Sequence, residues 1–297
     1  MWHIDAEALE SVAIGAGILG TGGGGNPYIG KLRARRLLEQ NQRVVVVDPT
    51  EVATDTYVAS VGGMGAPTVG IEKLEKGDEA YAALRALERH AGVRVDALIP
   101  GEIGGGNSIE PMIVAGMSGL PVVDADGMGR AFPELQMVTF FIYGVSPAPA
   151  ALADEKGNRV VFDGVRDARW LERIARVATI EMGGAAGLAF SLMSGEEMRR
   201  TAIPNTLSLA RRIGEAVRHA RQERVDPIAA VLRTAQGRVL FSGKIVDVER
   251  WTTGGFARGR VVLAGVDHNG GRDLTIDFQN ETSLPAPTAP SWPACRT

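Results

Sequence analysis

Through the first half of the chain, short apolar runs alternate with amphipathic stretches. Asp5 is placed to cap a helix starting near Ala6, with Leu9, Val12, Ala13 and Ala16 on one face. Pro27 suits the first turn of a second helix. Residues 43–48 and 57–61, rich in valine, read as buried strands. Ala82, Leu84 and Leu87 give residues 79–91 a helical period. Residues 95–99 read as a third strand, 109–117 as a helix, 121–124 as a further strand, and 137–143 as one more apolar run.

Beyond about residue 160 the texture changes. Residues 167–179 and 227–232 are helical, and 204–221 is strongly amphipathic with Leu207, Ala210, Ile213 and Val217 inward. Residues 238–248, 258–266 and 274–278 then read as three antiparallel strands, separated by the glycine turns at Gly254-Gly255 and Gly270-Gly271. The expectation is an α/β fold: a layered α/β domain over 1–160 and an α+β domain over 161–284 ending in antiparallel strands. Residues 285–297 carry four prolines and read as a disordered, edge-draped or frameshifted tail.

Composition narrows the function. A net charge of −3 implies no general attraction to nucleic acid. No apolar stretch reaches the roughly 18 residues a membrane span needs, and residues 1–7 do not resemble a secretory signal. The single cysteine, Cys295, excludes an internal disulfide framework and a Cys-rich zinc site. A cytoplasmic protein with a small-molecule substrate and a homo-oligomeric assembly is expected.

Two constellations carry candidate chemistry. The first is the glycine run from Gly15 to Gly25, whose end, Gly22, Gly23, Gly24 and Gly25, forms a loop with Asn26. Such a run serves either as a nest of N–H groups for an anion or carbonyl oxygen, or as a crossing of close-packed backbones. Gly15-Ala16-Gly17-Ile18-Leu19-Gly20 matches G-x-G-x-x-G, but a helix precedes it where a dinucleotide site needs a strand. Residues 25–32 miss a phosphate-binding P-loop at Leu32, which stands where Mg²⁺ needs a hydroxyl.

The second constellation is Glu102, Asn107, Asp124, Asp126 and Glu134, in or just past the loops that follow two predicted strands. Carboxylates converging there would bind a divalent metal ion or serve as acid and base. The alternative is that they cap the helices that follow. Gln279, Asn280 and Glu281 leave the last predicted strand and could contribute to a site at a domain interface. Of the four histidines only His268, in a predicted turn, invites a test.

Gly17 to Tyr28, Gly101 to Asn107, Pro121 to Glu134 and Phe278 to Glu281, in that order, resemble the DUF917 family, also called the S-methyl thiohydantoin desulfurase family and linked with hydantoinase systems. The resemblance covers about residues 5–284. It implies two domains acting on hydantoin-like or thiohydantoin-like rings, and further strands where the proline-rich end stands here. The expected function is hydrolysis or desulfurisation of such a ring, with Glu102, Asp124 or Asp126 activating water, directly or through a divalent ion. The glycine-loop amides, Asn107, Glu134 and residues 279–281 would bind substrate. The alternative is a ligand-binding or accessory subunit of a hydantoinase system.

Overall fold

The computed structural model of the protein describes residues 1–280 and 282–286. A short strand, β1 (Trp2–His3), leads into α1 (Ala6–Gly20), where Asp5 accepts the Ala8 N–H at 2.7 Å. Asn26 caps α2 (Pro27–Glu39) in the same way through the Tyr28 N–H. There follow β2 (Val45–Val47), β3 (Tyr57–Gly65), the one-turn α3 (Val69–Glu72), α4 (Glu79–Ala91), β4 (Ala97–Pro100), α5 (Glu110–Ser118), β5 (Val122–Val123) and β6 (Ala125–Asp126). The apolar run at 137–143 contains only a short helix, α6 (Thr139–Ile142).

Next come β7 (Ala150–Ala153), β8 (Arg159–Phe162), α7 (Ala168–Glu181), β9 (Ala185–Ser194), α8 (Gly195–Thr201), β10 (Ile203–Pro204), α9 (Thr206–Gln222) and α10 (Pro227–Thr234). The chain ends in β11 (Gly243–Thr253), β12 (Phe256–Gly265), β13 (Asp273–Gln279) and β14 (Thr282–Ala286). Strand β11 starts five residues later than its apolar pattern suggests. Pro285 lies in β14, an edge strand, which is where a residue without an N–H is tolerated. The rest of the proline-rich end, 287–297, lies outside the described residues.

The main sheet has the order β1-β2-β5-β4-β3-β9-β7-β8. Its centre, β2, β5, β4 and β3, is parallel, and β9 joins β3 antiparallel. Helices cover both faces, so the strands are apolar on both sides. The period of two divides them cleanly: Leu98, Val122, Ala151 and Ala189 enter the core beneath α1, α4, α5 and α9. Their neighbours Ile99, Val123, Leu152 and Leu188 enter the opposite core with α6, α7 and α8. Strand β9 comes from beyond residue 160 yet lies between β3 and β7, so the layered sheet draws on both halves of the sequence.

A helix crossing accounts for part of the first glycine motif. Gly15 lies inside α1, which crosses α9 at very close range. A Cβ on Gly15 would stand 1.8 Å from the Ala210 carbonyl oxygen, and one on Gly214 would stand 1.8 Å from that of Ser11. Of the G-x-G-x-x-G match, Gly15 is thus helical backbone packed on helical backbone, Gly20 packs on the backbone of Gly104 and Gly105, and Gly17 is exposed. A second sheet, β11-β12-β13-β14, is an antiparallel meander, and β6 pairs with β10 apart from both.

Candidate functional site

The carboxyl ends of β3, β4 and β5 open onto loops, which is where ligands bind in open α/β sheets. The loop after β4 carries Glu102 and the glycine triplet Gly104-Gly105-Gly106. This loop crosses the first glycine loop backbone to backbone. A Cβ on Gly24 would fall 2.1 Å from the Gly104 oxygen. The Gly106 N–H donates to Gly25 O at 3.0 Å, and the Asn107 N–H to Gly24 O at 2.9 Å. Gly24 also abuts the Glu102 side chain, whose Oε1 would lie 3.2 Å from that absent Cβ. The amino-terminal glycine loop and Glu102 therefore share one cavity.

That cavity has a volume of about 480 Å³, and Gly24, Gly25, Asn26, Glu102, Asn107, Glu134 and Asn280 all line it. Gly22 is exposed and Gly23 is buried against Gly105, so neither reaches the lining. Asn280 donates its N–H to Ala257 O and accepts the Ala257 N–H, which ties it to β12. Gln279 reaches Glu134 through its side-chain amide at 3.4 Å. Glu281 lies outside the described residues.

Glu102 is buried, and both its oxygens act as acceptors. Asn107 Nδ2 donates to Oε1 at 2.6 Å and the Phe132 N–H to Oε2 at 3.0 Å. Burial pushes its carboxyl up to about 7, against those two donations and with the Asp126 charge adding to the rise. A carboxyl poised near neutrality can both take and return a proton.

Asp124 and Asp126 are placed differently. Asp124 turns to α9, accepting the Ser208 N–H at 2.9 Å and the Ser208 hydroxyl, and its own carbonyl accepts the Asn205 N–H. It caps a helix in trans. Asp126 is fully buried and accepts N–H groups from Ile103, Met128 and Gly129. Burial pushes its carboxyl up to about 7, opposed by those same donations. Neither carboxylate lines the cavity. With their oxygens taken by protein donors, Glu102, Asp124 and Asp126 do not fit a shared divalent ion. Among the described residues no three His, Cys, Asp or Glu side chains stand together as a metal site.

The remaining sequence candidates lie elsewhere. Lys31, the lysine of the P-loop-like run 25–32, pairs with Glu10 at 2.8 Å and lies over the Tyr28 ring, away from the cavity lining. His268 sits in the turn between β12 and β13. The lining also includes residues the sequence did not single out for it: Gly62 to Pro67, Arg33, Lys73, Glu75, Glu110, Phe132 and Arg176. The glycine-rich exit of β3 was the visible signal for the first of these. The cations carried none, because each comes from a helix or loop with unremarkable local sequence.

Among the described residues no helix is long and apolar enough to cross a membrane. The family model for the S-Me-THD-like N-terminal domain matches residues 7–164, and that for the C-terminal domain matches 166–287. A crystal structure of a protein from Chromobacterium violaceum is similar, with a TM-score of 0.71 and 30% identity over 96% of this chain and 76% of that one. Comparison with curated proteins finds no match. The chain belongs to the S-methyl thiohydantoin desulfurase family, DUF917.

Proposed function

We propose that this protein is an enzyme that hydrolyses or desulfurises a small hydantoin-like or thiohydantoin-like ring, with Glu102 as its proton-transfer group. The observation that carries the reading is Glu102 itself: buried, lining the cavity beside Gly24, with both oxygens held as acceptors. Water adds to the ring carbonyl carbon, the thiocarbonyl carbon or, in an S-methylated ring, the C=N carbon that carries sulfur, and its proton goes to Glu102. The same proton then passes to the departing nitrogen or sulfur as the C–N or C–S bond breaks. The positive-φ backbone at Gly24 and Gly25 supports a role for this loop in holding the oxygen or sulfur that becomes anionic.

The test is Glu102→Gln, assayed with a hydantoin and an S-methyl thiohydantoin. Turnover falls by about 10²–10⁴-fold if Glu102 transfers the proton. Unchanged turnover would remove the proposal. Rings that raise the melting temperature of the wild type without being turned over would make the protein a binding or accessory subunit instead.

Cytoplasmic residence and assembly into a homo-oligomer belong to the same reading. The exposed stripe of Trp170, Ile174 and Val177 on one face of α7 supports the assembly. Light scattering on the purified protein tests it.

A further inference from the structure

The charges lining the cavity are not balanced against one another evenly. Arg33 spends its guanidinium on Glu110, Glu75 and the Gly77 carbonyl, at 2.8–3.0 Å. Lys73 donates to the Met182 and Ala185 carbonyls at 2.7 and 2.6 Å and pairs with Glu155 at 2.7 Å. Arg176 pairs with Glu172 at 2.8 Å, donates to Pro133 O and stacks over Phe256. Each lining cation is thus engaged by protein acceptors that include a carboxylate.

Three lining carboxylates are answered differently, and the oxygens of one of them, Glu79, accept the Lys76 and Gly77 backbone N–H groups at 2.7 and 2.8 Å. The oxygens of Glu102 accept from the Asn107 amide and a backbone N–H. Those of Glu134 accept from the side-chain amides of Gln136 and Gln279. Neutral donors orient these oxygens without cancelling their charge. A ligand in the cavity therefore meets three carboxylates held by neutral donors and no uncommitted cation among the described lining residues.

We propose that the cavity selects ring compounds whose substituent is uncharged or cationic, and rejects those bearing a carboxylate. Glu134 accepts the N–H groups of a cationic substituent and repels a carboxylate. Its link to Gln279 brings β13 of the second sheet into the choice of substrate. The inference rests on the ring-acting reading above and adds the charge class of the ring's side arm.

Binding is the direct readout. Three hydantoins that differ only at C5 serve as probes: isopropyl (neutral), 4-aminobutyl (cationic) and 2-carboxyethyl (anionic). Calorimetry and thermal shift with the intact protein are expected to rank the anionic compound at least about tenfold weaker than the other two. In Glu134→Gln, whose melting temperature reports whether it folds, that gap closes. An anionic probe that binds as well as the others overturns the charge selection and leaves the ring reading standing. A gap that persists in a folded Glu134→Gln overturns the role given to Glu134. If none of the three binds, the ring reading fails and the selection proposed here fails with it.

Discussion

Asn107 donates its side-chain amide to Glu102 at 2.6 Å while its own Oδ1 receives the Gly63 N–H at 2.7 Å. The second bond fixes which end of the amide faces the acid. The Phe132 N–H holds the other oxygen of Glu102 at 3.0 Å. Asn107 is thereby a positioning residue. Because its donation lowers the Glu102 pKa, Asn107→Ala raises that pKa further. The ascending limb of the kcat/KM profile moves to higher pH, and the value at neutral pH falls about tenfold. A pH–rate series on both proteins checks this; a profile that drops in height without moving would mean the amide does something else.

Folding stability carries a second signature of the same acid. Its carboxyl binds a proton more tightly folded, at about 7, than in the unfolded chain, at its ordinary value of 4.5. That contribution is fully present below about pH 4.5 and is lost as pH rises through about 7. The loss is of the order of 3 kcal/mol. Glu102→Gln removes it, so the variant gains on the wild type as pH rises across that window. Melting curves at a series of pH values measure the difference, and parallel curves would contradict it.

The crossing of α1 and α9 makes a sharp contrast between two glycines of one helix. Gly15→Ala would drive a methyl into the Ala210 carbonyl and costs about 3 kcal/mol or more. Gly17 is exposed, its nearest neighbour a Pro27 side-chain carbon at 3.6 Å. Gly17→Ala is expected to stabilise by up to about 1 kcal/mol through helix propensity. Denaturant unfolding of the two variants reads both signs.

Asp124→Ala takes the cap from the first turn of α9 and costs about 1–2 kcal/mol. Turnover per folded molecule is retained, because this carboxylate faces the helix and not the cavity. Activity normalised to the folded fraction separates the cap from a catalytic acid: a collapse in kcat with intact folding would return Asp124 to the chemistry.

Where the sequence speaks through period and caps, it speaks plainly. Residues 79–91 repeat apolar positions at helical spacing, and α4 has those bounds. The inward set of α9, Leu207, Ala210, Ile213 and Val217, is buried as its amphipathic pattern demands. Strand β9 is silent by comparison: Ala185 to Ser194 is built from alanine, glycine, serine, leucine, methionine and one phenylalanine, with none of the β-branched side chains that mark a strand. Its partners on β3 and β7 are distant in sequence, and only they make it a strand. The site divides the same way. Glu102 and Asn107 stand out by flanking a glycine triplet, whereas Asp124 and Asp126 follow a strand in a pattern common to caps and to acids. The direction of a side chain, which decides between those two uses, is set by α9 and by the loop at 127–129.

The late arrival of β9 bears on how the protein is made. Strand β3 pairs with β4 on one side, but its other edge stays open until Ser194 has been synthesised. At about 5–20 residues per second, a ribosome needs roughly ten seconds to travel from Gly65 to that point. For that interval the nascent chain displays an apolar ribbon with unpaired amides, a surface on which other nascent chains can stack.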